Sequence, residues 1–94
     1  MMPREYPVVG EFRNDTTKDM TLYLEMTCEE VVLAPGHEVQ LLARPDPDLL
    51  PLTTDYVEGG LQIHPCRVAD PDWHIRFKGK IIKPGYPTRL SEFL

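Results

Sequence analysis

Two cysteines and three histidines are the side chains of this chain that could bind a metal ion or act with a nucleophile: Cys28, His37, His64, Cys66 and His74. Thiolate and imidazole are the ligands that zinc and copper use in proteins. His64, Cys66 and His74 lie close together in the sequence, and a β-sandwich could bring Cys28 or His37 to them as a fourth ligand. A small metal-binding domain is therefore one hypothesis for the function.

The spacing of these residues does not match the established patterns. The chain has no Cys-x-x-Cys and no His-x-x-x-His pair, and no methionine follows Met26 to complete a copper site of the cupredoxin type. Cys66 could act as a nucleophile only with a histidine within hydrogen-bond reach and a lowered pKa, which often comes from a helix N-terminus, and no helix is predicted beside it. The sequence therefore favours a non-enzymatic protein without a metal or cofactor.

Alternating apolar residues indicate the elements that must position these side chains. Met20 to Met26 places Met and Leu on one face and Thr, Tyr and Glu on the other, and Trp73 to Lys78 alternates in the same way. Between Val31–Leu33 and Glu38–Ala43, the Pro35-Gly36 pair predicts a type II turn. Period-two segments joined by turns predict consecutive antiparallel strands.

The whole chain is predicted to be one all-β domain over residues 1–94. About seven short strands should form a small antiparallel β-sandwich or a partly open barrel, with an irregular C-terminal tail over residues 83–94. We expect Gly79 to mark a bulge within one longer strand rather than a turn. The length of 94 residues leaves room for a single core.

Charge is unevenly distributed along the chain. Residues 1–72 hold fourteen of the fifteen acidic residues and five basic ones, whereas residues 73–94 hold five basic residues and Glu92 alone. The net charge of −5 argues against a nucleic-acid partner, because contacts to phosphate dominate such binding. The expectation is a protein partner, with no nucleic acid and no membrane.

A candidate partner surface follows from the outward face of the strand at Met20. We expect Tyr23, Glu25, Glu29 and Glu30 to face outward together, and the basic strand with Arg76, Lys78 and Lys80 to cover them. If the two surfaces pair between two copies, they predict a homodimer, which could also form through an exposed strand edge. An interaction module, of the kind that inhibits or neutralises a basic protein, is the leading hypothesis.

The chain shows no apolar run of about 18 residues and no signal-peptide pattern at Met1 to Glu5. The expected compartment is therefore the cytoplasm, where Cys28 and Cys66 would stay reduced.

Three short motifs also resemble a known group of proteins. These are Asn14-x-Thr16, Leu22-x-Leu24-Glu25 and Leu33-x-Pro35-Gly36-x-x-Val39-x-Leu41. The pattern resembles that of short uncharacterised bacterial proteins of unassigned function, which are thought to be β-sandwiches, and it extends over about 28 of the 94 residues. The resemblance implies the fold, and it implies no activity and no site residues.

Overall fold

The structure is a computed structural model that describes residues 2–94, and it consists of nine short strands in two sheets packed on a shared core. The small all-β fold predicted from the sequence is confirmed, with nine strands instead of about seven and no closed barrel. The strands are β1 Val8–Arg13, β2 Met20–Leu24, β3 Glu29–Leu33, β4 Glu38–Leu42, β5 Thr53–Val57, β6 Gly60–His64, β7 His74–Phe77, β8 Lys80–Ile82 and β9 Thr88–Arg89. Short 3₁₀ turns cover Pro3–Glu5 and Leu90–Phe93.

The four-stranded sheet has the order β1-β4-β7-β8 and is antiparallel throughout. The five-stranded sheet has the order β5-β6-β2-β3-β9 and is mixed, because β2 pairs with β6 and β3 pairs with β9 in parallel. The expectation of purely antiparallel pairing is therefore wrong for this sheet. Pairing between segments so distant in sequence leaves no local signal that alternation could reveal.

Alternation in β2, β3, β4 and β7 places one face of each sheet in the core. Leu22 and Leu24 from the five-stranded sheet and Val39, Leu41 and Ile75 from the four-stranded sheet belong to one buried cluster. Trp73, just before β7, is fully buried in the same cluster, and its indole Nε1 donates a 2.7 Å hydrogen bond to the carbonyl of Glu25. The core thus forms from inward residues of both sheets, as sandwich packing requires.

Two turns decide how neighbouring strands connect. Gly36 has a φ of 84° and the amide of His37 donates to the carbonyl of Ala34, as expected of the Pro35-Gly36 turn. Lys78 and Gly79 have φ values of 50° and 79°, and they join β7 to β8 as a tight hairpin. The expectation of a bulge at Gly79 is wrong, because positive φ at both positions matches the twist of a hairpin.

The C-terminal segment is more regular than the sequence indicates. Gly85 bridges to Glu30, β9 pairs with β3, and Leu90, the first residue of the final 3₁₀ turn, is completely buried. Residues 83–94 therefore complete the five-stranded sheet instead of forming an irregular tail.

Candidate partner-binding surfaces

The five-stranded sheet turns an acidic surface away from the core. Register places Tyr23, Gln62, Asp55 and Glu30 in one outward row across four strands. Glu25 follows β2, and its carboxylate accepts a 2.8 Å hydrogen bond from the Gln62 side chain. We call this surface the acidic face and define it by Tyr23, Glu25, Glu30 and Asp55. His64 and Arg89 are basic side chains that border it.

Glu29 was expected on the same face, and the structure contradicts this. Glu29 is only 3% exposed, and β3 places it in phase with Val31 and Leu33, on the core side. Two consecutive residues of one strand cannot both point outward, so the outward Glu30 requires an inward Glu29. The carboxylate of Glu29 accepts one hydrogen bond from the Thr27 hydroxyl at 2.6 Å and lies 3.1 Å from the Lys83 ammonium.

The basic residues were expected to cover the acidic face, and they do not. Arg76 lies in β7 of the other sheet, on its outward side, where its guanidinium donates a 2.7 Å hydrogen bond to Gln40. Lys78 and Lys80 are exposed at the hairpin between β7 and β8. Because the two outward faces lie on opposite sides of the sandwich, Arg76, Lys78 and Lys80 cannot reach Tyr23 within one molecule.

The five sequence-based metal candidates are dispersed over the fold. Cys28 and Cys66 are free and exposed, and the His64 ring lies 3.8 Å from Asp55. His37 accepts a hydrogen bond from the Ala34 amide and packs against Phe77, while the Nδ1 of His74 donates to the Asp72 carbonyl. Within residues 2–94, no group of three His, Cys, Asp or Glu side chains has an arrangement that could hold a metal ion.

A polar cluster that the sequence analysis missed joins the two sheets. Lys83 directly follows β8. Its ammonium lies 3.1 Å from the Glu29 carboxylate of β3 and 3.3 Å from the Asp72 carboxylate, and it donates a 3.0 Å hydrogen bond to the Trp73 carbonyl. Tyr6 donates a 2.7 Å hydrogen bond to the other oxygen of Asp72, and Arg44 approaches that oxygen at 3.7 Å. The Asp70-x-Asp72 spacing indicates only a local turn, in which the Asp72 amide donates to the Asp70 carboxylate, and it does not indicate the contacts with Lys83.

The electrostatics of Asp72 indicate a structural role for this cluster. Burial alone would raise the pKa of Asp72, but the hydrogen bonds from Tyr6 and Lys83 outweigh it and hold the pKa below its ordinary value. Across the described part of the chain, no buried side-chain nitrogen or oxygen is without a hydrogen-bond partner. The cluster therefore links the two sheets through paired charges and satisfied hydrogen bonds.

Two grooves lie near the β1 side of the sandwich. One, of about 860 Å³, is open and polar and includes Arg13, Glu38, Gln40 and Arg76 at one end of the four-stranded sheet. The other, of about 650 Å³, lies between β1 and the β5–β6 hairpin and has a mainly apolar lining with Phe12, Met20, Tyr56 and Leu61.

Comparison with protein-family models, with curated proteins and with solved structures finds no match to this chain. In residues 2–94 no helix has both the length and the apolar character needed to cross a membrane.

Proposed function

We propose that this chain is a non-enzymatic binding module that acts in the cytoplasm on another protein. The supporting observation is that no basic strand within residues 2–94 covers the acidic face, whose carboxylates border the half-buried ring of Tyr23. Aromatic side chains flanked by polar groups are typical of interface centres. Neither nucleic acid nor a membrane surface suits this face, because both carry negative charge.

The charge of the module favours a partner with a basic surface. The chain has a net charge of −5, and Glu25, Glu30 and Asp55 concentrate negative charge on one side. Complementary potentials accelerate encounter between two proteins and exclude partners of like charge. An inhibitor or immunity-type protein that neutralises a basic target would have this arrangement.

A different protein suits this surface better than a second copy of the chain. The acidic face and the side with Arg76 lie on opposite outward surfaces, so contact between them in two copies would be head-to-tail. Such a contact leaves both outer surfaces free and continues into a stack, whereas a closed dimer needs one surface that pairs with itself.

The proposal is tested by affinity capture with two charge-reversal variants. Glu30→Lys changes the acidic face, and Glu92→Lys makes the same charge change at an exposed position in the last 3₁₀ turn. We expect the wild type and E92K to capture the same protein from the source lysate. The amount captured by E30K should be lower by about tenfold or more.

The captured protein is then purified and titrated against the module at increasing salt. Binding that weakens with salt, and weakens further for E30K, supports the proposal. Equal binding to E30K and E92K, or no retained protein together with a strictly monomeric mass by light scattering, contradicts it.

A further inference from the structure

Strand β5 is an edge of the five-stranded sheet and is open on one side. All five of its residues, Thr53–Val57, are exposed, and they pair with β6 without any irregularity in register. An edge of this kind presents a row of backbone groups on which another chain can form a further strand.

The parallel pairing of β6 with β2 shows which backbone groups of β5 face outward. The amide of Thr21 donates to the Gly59 carbonyl, and the amide of Glu25 donates to the Ile63 carbonyl. Residues 59, 61 and 63 therefore direct their backbone groups to β2. Because successive residues of a strand direct these groups to alternate sides, Gly60, Gln62 and His64 direct theirs to β5. Their partners Val57, Asp55 and Thr53 are therefore occupied, and Thr54 and Tyr56 direct their N–H and C=O groups to the open side.

The other three strands at sheet edges in residues 2–94 are protected in recognised ways. Strand β1 has a register shift between Val8 and Gly10, and Pro7 precedes it. Strand β8 has three residues and begins with Lys80, and β9 has only two residues. Bulges, lysines and short length each discourage the addition of a strand, whereas β5 has none of them.

The side of β5 that faces β1 is uncovered. Tyr56 pairs with Leu61, which packs against the core, yet Tyr56 itself is 91% exposed. The five-stranded sheet therefore extends past the edge of the four-stranded sheet, and the apolar groove of about 650 Å³ lies beneath the overhang. Alternate side chains of a strand added to β5 would point toward this groove.

Asp55 determines what kind of strand can be added. In a symmetric antiparallel pair of two copies centred on Asp55, this residue would lie directly opposite its own counterpart, and like charges at such positions are destabilising. A lysine or arginine opposite Asp55 would instead form a favourable cross-strand pair. Charge complementarity thus disfavours this pairing of two copies and favours a basic strand from another protein.

We propose that β5 receives an extended segment of a partner protein as an additional strand of the five-stranded sheet. The segment carries a lysine or arginine opposite Asp55 and apolar residues at the alternate positions that face the groove beside Tyr56. This inference rests on the proposed protein-binding function and locates it at one strand edge.

Selection from a library of random peptides of about twelve residues tests the proposal without knowledge of the natural partner. Two variants at one position separate the backbone from the side chain: Thr54→Pro removes an outward N–H, and Thr54→Ala retains it. Proline is tolerated where the N–H of an edge strand faces solvent, so T54P should keep the β5–β6 pairing. Circular dichroism and urea unfolding confirm that both variants are folded.

The proposal predicts enriched peptides in which apolar residues alternate and a lysine or arginine lies at the centre. The best peptide should bind T54A within about threefold of the wild type and bind T54P at least about tenfold more weakly. Replacement of its central basic residue by glutamate should weaken binding by a similar factor, and on the wild type the amide NMR signals of Thr54 and Tyr56 should shift most.

Several results would overturn the proposal. These are the absence of any enriched peptide, equal binding to folded T54P, shifts confined to the four-stranded sheet, or a wild-type dimer joined through β5 at neutral pH. If the captured partner protein binds T54P as well as it binds the wild type, the protein-binding function stands and this location for it fails. If no partner protein is captured but the peptides bind as described, the location stands and the function fails.

Discussion

Lys83 is the residue on which the linkage between the two sheets depends most. Its ammonium donates hydrogen bonds to Asp72 and to the Trp73 carbonyl, and it lies 3.1 Å from the carboxylate of Glu29. Glu29 is the buried member of this group, and a buried carboxylate is costly unless a cation accompanies it. The ion pair with Lys83 therefore stabilises Glu29 in its inward position.

Lys83→Met tests this dependence. We expect a loss of about 1 to 3 kcal/mol in the free energy of unfolding at neutral pH, less than for a fully buried pair because Lys83 is half exposed. Urea unfolding at neutral pH measures this loss, with exposed Lys80→Met as the control. Equal free energies of unfolding for the two variants would contradict the account.

Asp72 gives a second prediction, on pH dependence. Its pKa is lower in the folded chain than the ordinary value of 3.8, so the carboxylate stabilises the fold above that value. This contribution is lost as the pH falls through the folded pKa. Asp72→Asn should therefore reduce stability at neutral pH by about 1 to 2 kcal/mol and flatten the fall in stability below about pH 4. Urea unfolding over this pH range measures the effect, with Asp48→Asn as the same charge change at an exposed position. Equal dependence of stability on pH for the wild type and D72N would contradict it.

At the scale of elements, the parallel pairing of β2 with β6 requires a glycine at position 60. A Cβ on Gly60 would lie 1.8 Å from the Thr21 carbonyl oxygen, so any side chain must separate the strands. Gly60→Ala should cost about 3 kcal/mol or more in the free energy of unfolding, at the upper end for overpacking. Gly85→Ala is the control, because its Cβ would meet only Thr88 at 3.5 Å. Similar urea midpoints for the two variants would refute the parallel register.

The hairpin between β7 and β8 gives an opposite prediction. Lys78 has a φ of 50°, a conformation that costs most side chains energy but suits asparagine. Lys78→Asn should therefore raise stability by about 0.5 to 1 kcal/mol, seen as a higher midpoint of thermal unfolding. A lower midpoint would indicate that the Lys78 side chain contributes more than its backbone conformation costs.

The elements also show what sequence patterns can and cannot reveal. Alternation identified the strands at Met20, Glu38 and Trp73, and Pro35-Gly36 identified their sharpest turn, because these signals are local. The pattern could not fix the phase across Thr27–Glu30, where Cys28 adopts a φ of 61° and Glu29 turns inward. Nor could it reveal the pairing of β6 with β2 or the meeting of Lys83 with Glu29, which depend on contacts between distant segments.

At the scale of the whole molecule, the two sheets direct different outward rows to opposite sides of the sandwich. The five-stranded sheet carries Tyr23, Glu30 and Asp55 on one side, and the four-stranded sheet carries Glu11 and Arg76 on the other. Three residues of the predicted surface lie together on the acidic face: Tyr23, Glu25 and Glu30. Glu29 points into the core, and the predicted basic residues lie on the other sheet. The open edge at β5 adjoins the acidic face, so one side of the molecule combines exposed backbone groups with negative charge.

The account predicts that Asp55 keeps copies of the chain apart. Asp55→Asn removes the repulsion between two β5 strands while keeping the exposed edge, so this variant should self-associate at least about tenfold more strongly at neutral pH than the wild type. Sedimentation velocity over a range of concentrations measures this, with Asp48→Asn as the equal charge change elsewhere. A monomeric D55N at all concentrations would show that another feature protects the edge.

Amide hydrogen exchange of the module bound to its captured partner tests the central claim most directly. If the partner adds a strand to β5, exchange of the Thr54 and Tyr56 amides should slow by about tenfold or more, while residues 8–13 of β1, at the edge of the other sheet, should remain unchanged. Unchanged exchange at Thr54 and Tyr56, or protection confined to β1 and the four-stranded sheet, would contradict it.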